Sequence, residues 1–86
     1  MVYEIILKPS AQKDLNRLPD KKVIRISKRI EQLSENPQPV GIQKLNDDEG
    51  FRIRIGDYRI LFRIDHKTKQ IYIFRIKHRK DVYRKD

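Results

Sequence analysis

The feature that most constrains the fold is the stretch FRIRIGDYRILFRID at residues 51–65, where apolar and charged residues alternate around a Gly-Asp pair. A period of two is typical of β-strands that bury one face. Glycine suits the first central position of a tight two-residue turn, which Gly56 and Asp57 would form. The stretch therefore predicts an antiparallel β-hairpin.

The position of this turn fixes the register of the hairpin. On one face every predicted pair is apolar, namely Ile55 with Tyr58, Ile53 with Ile60, and Phe51 with Phe62. The same register opposes Arg54 to Arg59 and Arg52 to Leu61 on the other face. Like charges that face each other destabilise a sheet. Either solvent screens these arginines or an anionic ligand lies over them.

The distribution of charge also indicates an anionic ligand. The chain of 86 residues has a net charge of +9. Residues 51–86 carry twelve Lys and Arg against four Asp and Glu, a net of +8, whereas residues 1–50 carry nine against eight, a net of +1. Such asymmetry favours a polyanion, most often nucleic acid, over a basic surface without a partner.

Two further strands are predicted outside the hairpin. Residues 2–8, VYEIILK, form the first, which Pro9 ends. Residues 66–69, HKTK, predict a turn, and residues 70–77, QIYIFRIK, predict the last strand. Its run of four apolar residues at 71–74 is typical of a central strand covered on both faces.

Two helices are predicted between the first strand and the hairpin. Ser10 can cap a short helix, and Asp20 can cap a longer one that ends at Asn36-Pro37. Apolar residues recur at spacings of three and four along the longer helix, at Val23, Ile26, Ile30 and Leu33. Two prolines and two glycines predict a loop over residues 36–50.

The predicted order is strand, helix, helix, strand, strand, strand, which indicates an α+β fold. An N-terminal strand and a two-helix antiparallel hairpin precede a three-stranded antiparallel meander. Helices that pack on one face of the sheet leave the other face open. The hairpin arginines are expected to project from that open face.

Composition excludes several classes of function. The chain has no cysteine, which excludes disulfide and thiolate chemistry, and its two histidines without cysteine argue against a zinc site. No apolar run approaches the roughly 20 residues of a membrane span, and the N-terminus lacks a secretory signal pattern. We expect a single cytoplasmic domain over residues 1–86 that needs no metal or cofactor.

The candidate chemistry is that of arginine and phosphate. A guanidinium donates bidentately to phosphate oxygens and stays charged at any working pH. Arg52, Arg54 and Arg59 share one predicted face, whereas Arg63 and Arg75 are expected to serve mainly structural or general electrostatic roles. RNA cleavage can need little more, because the 2′-hydroxyl of RNA is an internal nucleophile.

Four segments together resemble the RelE branch of the RelE/ParE toxin superfamily: GDYRILFRID, IYIFRIKHRKDVYR, KPSAQKDLNRLP and IEQLSENP. The resemblance implies a toxin of a toxin–antitoxin pair with a microbial-RNase-like sheet under a helical hairpin. RelE-type toxins cut messenger RNA in the ribosomal A site. A RelB-like antitoxin wraps around them, and the complex binds operator DNA.

The resemblance implies catalytic roles for Arg59, Arg79 and Tyr83. RNA-binding roles fall to further basic residues, Arg52, Arg54, Lys77 and Lys80. Some family members have lysines where this chain has Arg52 and Arg54. Because arginine cannot exchange a proton at working pH, the acid–base work would fall to Tyr83 or to His78 in the basic tail.

Two alternatives stay open from the sequence. A ParE-like toxin shares the scaffold but inhibits DNA gyrase and is not a nuclease. A non-catalytic module would hold DNA or ribosomal RNA on the basic face, and its binding would depend strongly on salt without turnover.

Overall fold

The computed structural model describes residues 2–37, 41–45 and 50–78. These residues form two helices and five strands. In chain order the elements are β1 (Glu4–Leu7), α1 (Pro9–Asn16), α2 (Asp20–Glu35), β2 (Gln43–Lys44), β3 (Gly50–Ile55), β4 (Tyr58–Asp65) and β5 (Gln70–His78). The predicted α+β class is confirmed.

The five strands form one sheet in the order β1-β5-β4-β3-β2. The pairing of β1 with β5 is parallel, and the other three pairings are antiparallel. The last strand therefore lies between β1 and β4, as its apolar run predicted. The meander of β3, β4 and β5 is confirmed as well.

The predicted hairpin register is correct at every pair. Ile55 pairs with Tyr58, and Arg54 pairs with Arg59. Gly56 has φ of 56°, in the left-handed region that glycine adopts without strain. The tight turn thus holds the alternation in register over the six residues of β3.

The predicted loop over residues 36–50 is wrong at two points: β2 pairs with β3, and Gly50 already belongs to β3. Gln43 lies opposite Arg52, and Lys44 lies opposite Phe51. Two polar residues are too few to show a period of two, so the strand leaves no signal in the sequence. Beyond Arg52, the edge of β3 pairs with no other described strand.

Both helices begin differently from the prediction. Helix α1 begins at Pro9, and α2 follows Pro19; proline suits a helix N-terminus because its φ is already fixed. The Ser10 hydroxyl does not cap α1; it donates a 2.6 Å hydrogen bond to the Phe74 carbonyl and so ties the helix to β5. No helix in the described part of the chain is long and apolar enough to cross a membrane.

The core lies between α2 and one face of the sheet. Ile26, Ile30 and Leu33 form the buried stripe of α2, as their spacing predicted. The sheet supplies the other fully buried large side chains, Ile53, Ile60, Phe62, Ile71 and Ile73. Each such side chain contributes about 1.5–3 kcal/mol by leaving water. This one-sided core orients the alternating strands.

A β-bulge in β5 aligns the strand with α1. The register shifts between Leu61 and Phe62, and Phe74 is the additional residue on β5. Because β1 ends opposite Ile73, no described strand pairs with this edge of β5 beyond that residue. There the Asp14 carboxylate of α1 accepts a 2.9 Å hydrogen bond from the Ile76 amide.

Candidate functional site

The sheet face opposite the core carries the basic residues in rows across the strands. Arg54, Arg59 and Lys77 form the first row, on β3, β4 and β5 respectively. Neighbouring strands lie about 4.8 Å apart, so the three backbones span about 10 Å. The register therefore brings three cationic side chains onto one short strip of the face.

The second row begins with Arg52 and continues through Leu61 to Arg75. Arg52 lies two residues from Arg54 on the same strand and the same face. We call Arg52, Arg54, Arg59 and Lys77 the basic strip. All four were candidates from the sequence, and the structure brings them together.

Neutral groups hold the two β3 arginines in place. The Nε atom of Arg52 donates to Oε1 of Gln43 at 2.9 Å. The Nε atom of Arg54 donates to the Gly56 carbonyl at 3.4 Å. Neither guanidinium forms an ion pair within residues 2–37, 41–45 and 50–78. Their positive charges are therefore oriented but not neutralised by these neighbours.

A depression of about 300 Å³ lies at the strip. Three arginines of the strip line it, together with Arg29 of α2, Gly41 and Gln43. Neither Arg29 nor Gln43 was a candidate from the sequence. Gln43 depends on the unpredicted β2, and only the packing of α2 shows that Arg29 reaches this place.

A larger depression, of about 890 Å³, lies further along β4 and β5. Its charges are mixed, because Asp65 lies near Arg63 and Lys8 in its lining. The Lys67 and Thr68 amides donate to the Asp65 carboxylate and hold its pKa below the ordinary value, with the Thr68 amide contributing most. The smaller depression at the strip suits an anion better, since none of its described lining residues is a carboxylate.

Arg75 differs from Arg52 and Arg54 because a carboxylate matches its charge. Its Nε lies 2.9 Å from Oδ2 of Asp14. Although burial raises the pKa of Asp14, hydrogen bonds from the Arg75 guanidinium and the Ile76 amide outweigh it and lower the pKa below the ordinary value. This ion pair ties α1 to β5, in line with the structural role expected for Arg75.

His78 lies on the other side of the sheet from the strip. It pairs with Tyr58, one residue along from the pair of Arg59 and Lys77, and successive residues point to opposite faces. The imidazole forms an edge-to-face contact with the Tyr58 ring, with centroids 5.1 Å apart. The structure thus does not bring His78 onto the face of Arg59.

The remaining candidates, Arg79, Lys80 and Tyr83, lie outside the described residues. Within residues 2–37, 41–45 and 50–78, no three acidic or histidine side chains form a group that could hold a metal ion. The chemistry visible on the described face is therefore that of fixed, permanently charged guanidinium groups beside one lysine.

Comparison with known proteins identifies the family of the chain. Residues 5–83 match the family described as the ParE toxin of the type II toxin–antitoxin system, parDE. Toxin RelG of Mycobacterium tuberculosis is 33% identical over 87 residues, which covers 99% of this chain and 100% of RelG. Toxin RelE of the same organism is 33% identical over 84 residues, covering 95% and 87% of the two chains.

Solved structures show the same fold. The toxin–antitoxin complex RelBE2 of Mycobacterium tuberculosis contains a chain with a TM-score of 0.82 and 28% identity, covering 92% of this chain and all of that one. The archaeal RelE–RelB complex of Pyrococcus horikoshii gives a TM-score of 0.78 and 27% identity, covering 92% and 97%. The chain therefore belongs to the RelE/ParE family of toxins of type II toxin–antitoxin systems, and it is a toxin of the RelE type.

Proposed function

We propose that this toxin is an endoribonuclease that cuts messenger RNA in the ribosomal A site and so inhibits translation. The observation that carries the proposal is the basic strip, where Arg54, Arg59 and Lys77 lie side by side across three strands. Neutral oxygens orient the two β3 arginines without matching their charge. An anion can therefore bind these two arginines without displacing a described carboxylate.

The reaction we propose uses a nucleophile that the substrate supplies. The 2′-oxygen attacks the neighbouring phosphorus, and the bond from phosphorus to the 5′-oxygen breaks. One proton leaves the 2′-hydroxyl, and one proton reaches the departing 5′-oxygen. The products are a 2′,3′-cyclic phosphate and a 5′-hydroxyl. Because the nucleophile is internal, the toxin's own side chains can supply the remaining catalysis without a metal or cofactor.

Charge stabilisation is the task of the arginines. Negative charge grows on the non-bridging oxygens as the phosphorane forms, and a fixed donor aimed at those oxygens lowers the barrier. We assign this role to Arg59 and to Arg79. Contacts to the flanking backbone fall to the other basic candidates, Arg52, Arg54, Lys77 and Lys80.

The proton transfers need a different side chain. The guanidinium groups stay protonated, so they cannot act as the base. We assign the orientation or deprotonation of the 2′-hydroxyl to Tyr83. His78 is the second candidate, but its contact with Tyr58 on the opposite side of the sheet from Arg59 favours Tyr83.

The family also suggests a protein partner. The similar chains in the RelBE2 and archaeal structures are in complexes with an antitoxin. We propose a cognate RelB-like antitoxin for this toxin, with acidic and apolar side chains in the helical segment that contacts it. Operator DNA would bind only through that complex, and the toxin would act in the cytoplasm, on ribosomes.

The test is to map message ends on ribosomes after induction of the native toxin, Arg59→Ala and Arg63→Ala. Arg63 is the matched control, because it is exposed on the same strand and face. Loss of one donor to a developing oxyanion costs roughly 10²–10³-fold in rate. We expect that loss for Arg59→Ala and less than about tenfold for Arg63→Ala, since an exposed charge is worth little.

Arg59→Lys separates catalysis from simple binding. A lysine keeps the charge but loses the planar fork, so cleavage should remain strongly impaired while RNA affinity changes little. Full cleavage by Arg59→Ala would refute the assigned role. Tight RNA binding without any A-site ends, in the native toxin, would instead favour a non-catalytic module.

One observation favours a second candidate function, because the matching family is described as the ParE toxin. A ParE-like toxin would inhibit DNA gyrase rather than cut message. Induction would then produce chromosomal breaks and an SOS response while ribosome-bound message stays intact. The same induced cultures report both outcomes, so a single experiment separates the two functions.

A further inference from the structure

A second basic cluster lies on α2 beside the basic strip. Arg25, Lys28 and Arg29 follow one face of this helix at spacings of three and one. Together with Gln32, they line a depression of about 320 Å³ whose opposite wall is Arg54, Ile55 and Gly56 of the β3–β4 hairpin. We call these three α2 residues the helix cluster.

The helix cluster is continuous with the strip. Arg29 and Arg54 line both this depression and the one that contains Arg52 and Arg59. The connection passes over the edge of β3, where β2 no longer pairs beyond Arg52. A groove lined by cations thus leads from the sheet face, around the edge of β3, to the helix.

The charges of the helix cluster resemble those of the strip. Arg29 donates from Nη1 to Oε1 of Gln32 at 2.8 Å, another neutral partner. The Arg25 guanidinium lies against the hairpin turn. Its Nη1 is 3.2 Å from the position that a Cβ atom on Gly56 would occupy. No member of the cluster forms an ion pair with another described residue. Closely spaced cations without a carboxylate favour an anionic ligand.

The groove suits a nucleic-acid backbone better than a protein segment. Among the described residues that line the depression beside the helix, Ile55 is apolar, and the others are charged, amide or glycine residues. Protein interfaces have apolar or aromatic centres, whereas a backbone contact needs mainly cations that track phosphates. The lining therefore resembles a phosphate track.

We infer that the helix cluster is a second phosphate-binding site, which holds the RNA backbone where the strand leaves the basic strip around the β3 edge. The inference rests on the proposed function. It adds Arg25 and Arg29 as positioning residues for the backbone beside the strip, with no part in the chemistry. Short RNA would occupy the strip alone, and longer RNA would occupy both sites.

The test compares Arg25→Ala/Arg29→Ala with Lys21→Ala/Lys22→Ala. Both double variants remove two positive charges from α2, but Lys21 and Lys22 do not line the groove. Affinity for 2′-O-methyl RNA, which cannot be cut, is measured by fluorescence anisotropy at several KCl concentrations. Oligonucleotides of about three and about ten nucleotides distinguish the strip from the extended track.

For the longer RNA, loss of two phosphate contacts should reduce the slope of log affinity against log salt by about 1.4 and weaken binding about tenfold or more at 0.1 M salt. The lysine control should change neither quantity by as much. In the arginine variant the short RNA should lose less affinity than the longer RNA, because only Arg29 of the two also lines the depression at the strip. Circular dichroism of each variant is recorded to check that it is folded.

Equal losses in the two double variants would overturn the inference, because net charge alone would then explain the effect. Native-like RNA affinity of the arginine variant would also overturn the inference, even if that variant bound an acidic antitoxin segment more weakly. A-site cleavage by the native toxin is measured in parallel. If it persists, the proposed function stands and only the second site fails.

Discussion

Two arginine environments on the same sheet differ in how their charge is matched. Arg75 lies against the Asp14 carboxylate, with its Nε 2.9 Å from Oδ2. Arg52 and Arg54 donate instead to an amide oxygen and a backbone carbonyl. The first environment is complete without a ligand, whereas the second presents oriented positive charge. Arginine content alone thus does not distinguish a structural residue from a binding residue; the partner does.

The largest expected effect is on stability, and it comes from the pair of Arg75 and Asp14, the environment in which a carboxylate matches the arginine charge. Asp14→Ala leaves the Ile76 amide without its acceptor and removes the ion pair with Arg75. Because the Arg75 side chain is 43% exposed, its ion pair contributes little, and the amide dominates. We expect the free energy of unfolding to fall by about 1–3 kcal/mol, measured by urea denaturation.

A matched control uses an acidic residue without such partners. Glu31 is exposed on α2, and Glu31→Ala should change the free energy of unfolding by less than about 0.5 kcal/mol. RNA affinity of folded Asp14→Ala should not fall below that of the native toxin, because the substitution removes a negative charge and leaves the basic strip intact. If Asp14→Ala were as stable as the control, the contrast between the two environments would fail.

Interactions between residues close in the chain could be predicted from the sequence, whereas those between distant residues could not. The basic strip was predictable, because one turn fixes the register that opposes Arg54 to Arg59. The pair of Asp14 and Arg75 was not, since it joins residues 61 apart and depends on where β1 ends and β5 bulges.

Other parts of the site were beyond the sequence for local reasons. Gln43 belongs to a two-residue strand that shows no periodicity. Arg29 looked like one of many exposed cations on α2 until the helix packed beside the β3 edge. The opposite orientation of His78 and Arg59 follows from the register of β4 with β5, and the sequence predicted β5 only to residue 77.

A smaller effect comes from converting the unmatched environment into a matched one. Gln43→Glu replaces the neutral acceptor of Arg52 by a carboxylate of nearly the same shape. The new ion pair should stabilise the toxin by no more than about 1 kcal/mol. It should weaken binding of 2′-O-methyl RNA by about fivefold, because one phosphate contact loses its free charge.

Gln12→Glu is the matched control for this substitution, since Gln12 is exposed on α1 and its side chain donates to Asn16, away from the strip. It makes the same change of charge away from the strip and should alter RNA affinity less than about twofold. Equal weakening by both variants would indicate a general effect of net charge. The idea that the unmatched charge of Arg52 strengthens RNA binding would then be disproved.

The smallest effect is a pH dependence confined to the matched environment. The pKa of Asp14 is lower in the folded toxin than its ordinary value of 3.8, because the Arg75 and Ile76 hydrogen bonds outweigh the effect of burial. A lowered carboxyl pKa contributes stability that is fully present above the ordinary value and is lost as pH falls through the folded value. The difference in free energy of unfolding between the native toxin and Asp14→Asn should therefore be constant from pH 7 to about 5 and shrink below about 4.

Asp65, whose pKa is also lowered, is present in both proteins and cancels in the difference. A difference that stays constant down to pH 3 would mean that the Asp14 charge contributes nothing, and that its hydrogen-bonding shape alone holds α1 against β5.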